Sequence, residues 1–242
     1  MKIVIMTTLF NASKYISRCV ESVKSQNFKK FNMIITDDMS TDGSPDVALK
    51  AIDNDPRFVV LRNQQKLYQP GNYLQISKLP FVDDEDILVT LDGDDWFNCP
   101  GTLERVYNYY RNTNYLMSFG QFVHYHGGED YSSGFTRKPD FRNLRQNDWT
   151  TSHLRTFKAK VFRKIKVEDL IGPTTQFWET TGDQAIIYPM LEMVGEENVY
   201  FTDDINMVYN VENTLNDYKV NYDRQQHYST LIKNKKPYER IF

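Results

Sequence analysis

The residues best suited to chemistry are Asp92, Asp94 and Asp95, in the run Leu91-Asp92-Gly93-Asp94-Asp95-Trp96-Phe97. They follow Ile87-Leu88-Val89-Thr90-Leu91, an apolar run that reads as a buried strand. Carboxylates at the end of a buried strand are poorly solvated and repel one another. A divalent cation removes both costs. Gly93 lets the backbone bend so that Asp92 and Asp94 converge on one point. Hard oxygen ligands of this kind suit Mn²⁺ or Mg²⁺, completed by a substrate's phosphates. The competing reading is a solvated acidic turn between a strand and a helix. The buried strand before the cluster and the pattern of the whole chain favour the metal.

The elements that must position this cluster alternate. Residues 3–7, 31–36, 57–61 and 87–91 read as apolar strands. Between them, Tyr15, Ile16, Cys19, Val20 and Val23 recur at helical spacing. Ser44 as N-cap and Pro45 at the first turn start a second helix, with Val47, Ala48, Ala51 and Ile52 on its buried face. Residues 70–77 form a third helix, and Cys99-Pro100 opens a fourth. Crossovers of this length imply parallel pairing, and ligands then gather at the carboxyl ends of the strands. Those ends carry Thr8 and Phe10, Asp37 and Asp38, and the acidic cluster. After residue 111 the pattern loosens. Residues 115–123 are strand-like, 124–145 read as a hairpin or surface loop, and 156–165 as a helix. Thr181 and Gln184 have capping-box spacing at the start of a helix through Val194. The chain past residue 212 is polar and rich in Tyr.

Composition narrows the function classes. A length of 242 residues fits one large domain. Net charge is -3 and the only basic cluster is a short late one, Lys233-Asn234-Lys235-Lys236, so nucleic-acid binding is not indicated. Neither Cys19 nor Cys99 has metal-ligand spacing. No glycine-rich phosphate loop is present. The longest N-terminal apolar run, Ile3-Val4-Ile5-Met6, is too short for a signal peptide or a membrane span. A soluble cytoplasmic protein is expected, with peripheral membrane attachment and self-association left open.

Three N-terminal segments together resemble the opening of family 2 glycosyltransferases. They are Lys2-Ile3-Val4-Ile5-Met6-Thr7-Thr8-Leu9-Phe10-Asn11, then Cys19-Val20-Glu21-Ser22-Val23-Lys24-Ser25-Gln26, then Ile35-Thr36-Asp37-Asp38-Met39-Ser40-Thr41-Asp42-Gly43-Ser44. The segment from Leu91 to Trp96 resembles the Asp-x-Asp metal motif of that family. Ser152-His153-Leu154-Arg155 and Gly182-Asp183-Gln184-Ala185 are similar to later segments of bacterial and viral members. Val208-Tyr209-Asn210 with Leu215-Asn216-Asp217 resembles their closing pattern. Two departures stand out. The family commonly has Ala-Arg-Asn where this chain has Pro70-Gly71-Asn72. It often has Glu before the catalytic Asp, where this chain has Gly182.

The resemblance implies a GT-A fold: a mostly parallel central sheet flanked by helices, with a small C-terminal extension. Residues 1–217 would form the glycosyltransferase domain, with 1–111 binding the nucleotide-sugar, 112–217 binding the acceptor, and 218–242 a polar tail. Thr8, Phe10, Asp38 and Asp92 would contact the nucleotide, and Asp92 and Asp94 the metal, with Asp95 a third ligand or a cap. Asp183 would be the general base, with Glu179 its rival. Trp149, His153 and Arg155 would face the diphosphate or acceptor; His227 reads as a surface residue, with a late metal ligand from a closing tail as the lesser alternative. The implied reaction is metal-dependent, inverting transfer of a hexosyl group from a UDP-sugar to a hydroxyl of a glycan or glycoconjugate. Two other readings compete. One is a non-catalytic nucleotide- or glycan-binding module on the same scaffold. The other is a sugar nucleotidyltransferase, which would usually carry Gly, Arg and Lys where this chain has Thr7-Thr8-Leu9-Phe10-Asn11.

Overall fold

The computed structural model describes residues 1–242. Nine strands form one sheet: β1 (Ile3–Leu9), β2 (Phe31–Asp37), β3 (Phe58–Arg62), β4 (Ile87–Thr90), β5 (Trp96–Phe97), β6 (Met117–Gly127), β7 (Asp130–Ser133), β8 (Arg155–Lys158) and β9 (Val199–Asn210). The α-helices are α1 (Ile16–Lys24), α2 (Ser44–Ile52), α3 (Tyr68–Ser77), α4 (Thr102–Tyr110), α5 (Ala159–Phe162), α6 (Gly182–Val194), α7 (Asp217–Val220) and α8 (Tyr222–Lys233). The strand order is β3-β2-β1-β4-β8-β6-β9-β5, with β7 added to β6 as a hairpin.

The first four strands are parallel, as expected of βαβ crossovers. The chain steps outward from β1 to β3 and then returns to place β4 on the other side of β1. That reversal opens a crevice between the ends of β1 and β4, the usual position for a ligand. Beyond β4 the sheet is mixed: β8 runs antiparallel to both β4 and β6, whereas β6 and β9 are parallel.

Alternation along the strands divides the core between the two sheet faces. Val4, Met6, Ile34 and Leu88 pack with α3, α5, α6 and α8. Ile3, Ile5, Ile35 and Val89 pack with the apolar stripes of α1, α2 and α4. Residues 218–242 fold back on the first of these layers, burying Tyr228 and Ile232. Arg145 clamps them there: it pairs with Glu192 at 2.5 and 2.8 Å and donates to Ile232 O at 2.6 Å. No helix is long and apolar enough to cross a membrane.

Three local expectations are corrected. Residues 155–158 are strand β8, not the start of a helix. All four are buried, with the Thr156 hydroxyl bonded to those of Tyr110 and Ser118, and only 159–162 are helical. The capping box at Thr181 does not form, because Thr181 is left-handed (φ 61°) and its hydroxyl donates to Gln225 O. Gln184 instead accepts from Ser229, so α8 takes both residues. Finally, Gly43 (φ 81°) caps α2, and Ser44 is the first helical residue.

Candidate active site

Backbone pairing assembles the donor side. The ladder of β1 continues past β4: Leu91 N–H donates to Met6 O at 3.1 Å and Gly93 N–H to Thr8 O at 3.1 Å. This sets Asp92 and Asp94 beside the end of β1. Gly93 is needed for closeness rather than for an unusual φ, since a β-carbon there would stand 2.9 Å from Leu9 Cδ1. On the other side, Asp38 N–H donates to Leu9 O at 2.8 Å. The loops after β1 and β2 are laced by Asn11 N–H to Ser40 Oγ (3.0 Å) and Ala12 N–H to Ser44 Oγ (2.8 Å).

A cleft of about 450 Å³ lies over these strand ends. Thr8, Phe10, Asp38, Asp92, Asp94, His153, Arg155, Glu179 and Asp183 all line it. Asp95, Trp149 and His227 do not. Asp95 is buried beneath the turn, where Oδ1 accepts the Asn210 N–H at 2.8 Å and Oδ2 has no partner. Trp149 stacks edge-on against Tyr188 at 5.2 Å, with the Arg155 guanidinium 5.9 Å from its ring. It therefore supports Arg155 from behind. His227 is exposed on α8.

The acidic turn has no ion-pair contact, and Arg155 only partly offsets the crowding of its carboxylates from a distance. Burial and the neighbouring Asp94 push the Asp92 carboxyl up to about 6. Burial also raises Asp94 and, well above the ordinary range, Asp95. The contacts of the first two are neutral amides: Gln69 Nε2 to Asp92 Oδ1 at 3.5 Å, and Asn213 Nδ2 to Asp94 Oδ2 at 2.7 Å. The hard oxygens of Asp92 and Asp94, which line the cleft without an ion-pair partner, fit a divalent ion. No three His, Cys, Asp or Glu side chains converge to hold a metal ion by themselves, so an ion here would need further ligands from a substrate.

Asp38 is tied into the scaffold. Its Oδ1 accepts from Asn63 Nδ2 and Leu67 N–H, both at 2.8 Å, and its Oδ2 from Tyr68 N–H at 3.0 Å. It thus anchors the start of α3 and keeps one of a carboxylate's roughly four acceptor positions free. Phe10 is exposed, and the Lys66 ammonium stands 2.9 Å from its ring centroid.

Two carboxylates of the opposite wall are compensated, whereas Asp217 there has no ion-pair partner and burial raises its carboxyl. Asp183, second residue of α6, accepts from buried Arg155 Nη2 at 2.8 Å and from Gln184 N–H at 2.8 Å. Glu179 accepts from Arg224 Nη1 at 2.8 Å and Thr174 Oγ1 at 2.9 Å. His153 is buried against Tyr209, ring centroids 5.1 Å apart. Burial and then Arg155 hold it well below the ordinary imidazole range, so it is neutral.

The two departures at Pro70 and Gly182 touch each other. A β-carbon on Gly182 would stand 2.7 Å from Pro70 Cγ. One on Gly71 would stand 2.5 Å from the Phe177 ring. Gly182 thus lets α6 approach Pro70 of α3 closely, and Gly71 leaves room for the Phe177 ring.

Sequence reasoning missed Lys66, Gln69, Asn213 and Arg224, which also line the cleft. Lys66 and Gln69 flank the start of α3 and could have been found as polar residues beside a strand-end site. Asn213 and Arg224 come from chain whose pattern carries no periodic signal.

The sequence model described as glycosyl transferase family 2 matches residues 4–171. The chain belongs to glycosyl transferase family 2. The matched stretch carries the candidates from Thr8 to Arg155 and ends before Asp183. This family 2 chain is 28% identical over 155 residues to the teichoic acid poly(glycerol phosphate) polymerase of Staphylococcus epidermidis, covering 59% of the chain and 22% of that protein. It is 26% identical over 178 residues to the glycosyltransferase GlyG of Streptococcus pneumoniae, covering 68% of the chain and 56% of that protein. It thus spans well under two thirds of either relative. Among solved structures it resembles residues 1–349 of S. aureus TarS, with a TM-score of 0.65 at 17% identity, covering 87% of this chain and 60% of that one. It resembles the mannosyltransferase PcManGT of Pyrobaculum calidifontis, bound to GDP-Man and Mn²⁺, equally well: TM-score 0.65, 14% identity, 98% and 66% coverage. The GT-A fold expected from the sequence is the fold observed.

Proposed function

We propose that this glycosyltransferase moves a hexosyl group from a UDP-sugar to a hydroxyl of a glycan or glycoconjugate, with inversion at the anomeric carbon. The observation that carries the reading is the asymmetry of the cleft. One wall has Asp92 and Asp94 with no cationic partner, and the other has Asp183 held by Arg155. The nucleoside would lie by Phe10 and Asp38, whose free acceptor position suits a pyrimidine imide N–H. Asp92 and Asp94 would hold Mn²⁺ or Mg²⁺. Its contribution when bound would be charge neutralisation on the departing nucleoside diphosphate.

Asp183 would act as general base. Two of its roughly four lone-pair positions are used by Arg155 and Gln184, and the rest can accept from an acceptor hydroxyl. The acceptor oxygen gives its proton to Asp183 and forms a bond to the anomeric carbon. The bond to the diphosphate oxygen breaks on the opposite face, which inverts configuration. Arg155 fixes the carboxylate's direction, and neutral His153 excludes water from the cleft floor.

Similar folds carry different nucleotides: a TarS structure holds UDP-GlcNAc, and PcManGT holds GDP-Man. Fold therefore does not choose the base, and the UDP preference rests on Asp38. A thermal-shift screen of UDP, GDP and ADP with Mn²⁺ tests it, since a bound ligand raises Tm by mass action. UDP is expected to protect most, and Asp38→Asn to blur the preference. Equal protection by all three nucleotides would remove this role from Asp38. Binding of a UDP-sugar with no turnover on any glycan acceptor would favour the non-catalytic reading.

A further inference from the structure

We propose that Lys66 supplies the protein's positive charge to the donor's diphosphate, leaving the Phe10 ring when the nucleotide enters. This rests on the UDP-sugar reading above and concerns which side chain meets the phosphates. Two of the cleft's cations are already matched: Arg155 with Asp183 and Arg224 with Glu179. Lys66 has neither a carboxylate in ion-pair range nor a hydrogen-bond acceptor. Its ammonium rests on the face of Phe10, 2.9 Å from the centroid. The aromatic face holds it weakly, by about 0.5–2 kcal/mol, and the carboxylates of Asp38 and Asp37 attract it only through space. Lys66 is partly buried, and burial lowers its ammonium from the ordinary range, so an incoming anion repays lost solvation.

A second observation points the same way. Position 71 of α3, on the helix that Asp38 anchors, is Gly and carries no charge. The Phe177 ring fills the space beside it, so a side chain at 71 would require that ring to move. Charge for the phosphates cannot come from that position. Lys66 lies one residue before Leu67, whose N–H is fixed on Asp38, so its stem is anchored at the nucleoside side of the cleft. Departure of the ammonium also bares the Phe10 face for the base. One movement thereby prepares both contacts.

Calorimetric titration of uridine and of UDP in the presence of Mn²⁺ tests this. Wild type, Lys66→Met and Lys66→Arg would be compared, each checked for a native Tm. Lys66→Met is expected to weaken UDP by about tenfold or more, the scale of one charge-assisted hydrogen bond, with no loss of uridine affinity and a gain where the freed Phe10 face stacks the base. Lys66→Arg is expected to restore UDP to within about threefold, since it keeps the charge. The salt dependence of UDP binding is expected to flatten only in Lys66→Met. Equal losses for uridine and UDP, or no loss for either, would overturn the assignment. A folded wild type that binds neither ligand would overturn the UDP reading itself, and Lys66's role with it.

Discussion

The two walls of the cleft solve opposite electrostatic problems. On the β1–β4 wall, Asp92, Asp94 and Asp95 crowd one turn with no cation among them, and burial lifts their carboxyls. On the α6–α8 wall, Asp183 and Glu179 each have an arginine at 2.8 Å. Asp217, which also lines that side of the cleft, has no ion-pair partner, so the pairing there is confined to Asp183 and Glu179. The proposed role of the unpaired wall is to take its compensating charge from a ligand. The paired wall is suited to a neutral hydroxyl, because its carboxylates are already oriented.

The largest effect should come from breaking the paired wall at its centre. Asp183→Asn is expected to lower turnover by about 10²-fold or more, the usual scale for a positioned base, with donor affinity little changed. Near-normal turnover in a folded variant would move suspicion to Glu179. The contact between the walls' scaffolds can be tested next. Gly182→Glu is expected to cost about 1–3 kcal/mol, because its β-carbon meets Pro70. In a double-mutant cycle, Pro70→Ala should recover about 0.5 kcal/mol or more of this by denaturant unfolding. Strict additivity would show that the two departures are unrelated.

The smallest effect concerns pH on the unpaired wall. Asp92 keeps its proton to about 6 in the native state, whereas an ordinary Asp loses it near 3.8. Between these values the native state binds more protons, so this group's stabilisation falls as pH rises. Buried neutral His153 acts with the opposite sign below its ordinary range, so the comparison must be between variants. In metal-free protein, Asp92→Asn is expected to gain about 3 °C or more in Tm over wild type as pH rises from 4 through 6. A Tm difference independent of pH would contradict the buried charge.

The two regions were also unequally legible. The first four strands and three helices follow from apolar periodicity, because each is a βαβ unit whose pairing is local in sequence. The strand ends then locate Thr8, Phe10, Asp38, Asp92 and Asp94 within one crevice. The second region is built from distant contacts. Strand β8 is four buried residues, and over so short a run helical and strand spacing look alike. Thr181 had the right spacing for a cap, but Gln225 and Ser229 on α8 claimed its partners. Arg224 and Asn213 reach the cleft only through tertiary packing, which no local pattern announces. Pro70 and Gly182 were visible as separate oddities, and their mutual contact was not.

In the proposed reaction the wall of Asp92 and Asp94 holds the metal and donor, and the wall of Asp183 does not. The most direct measurement is the Tm shift caused by Mn²⁺ plus UDP in wild type, Asp94→Ala and Asp183→Asn, each reversed with EDTA. The account predicts a stabilising, EDTA-sensitive shift in wild type, its loss in Asp94→Ala, and its retention in Asp183→Asn. Equal shifts in the two variants, whether both kept or both lost, would contradict it.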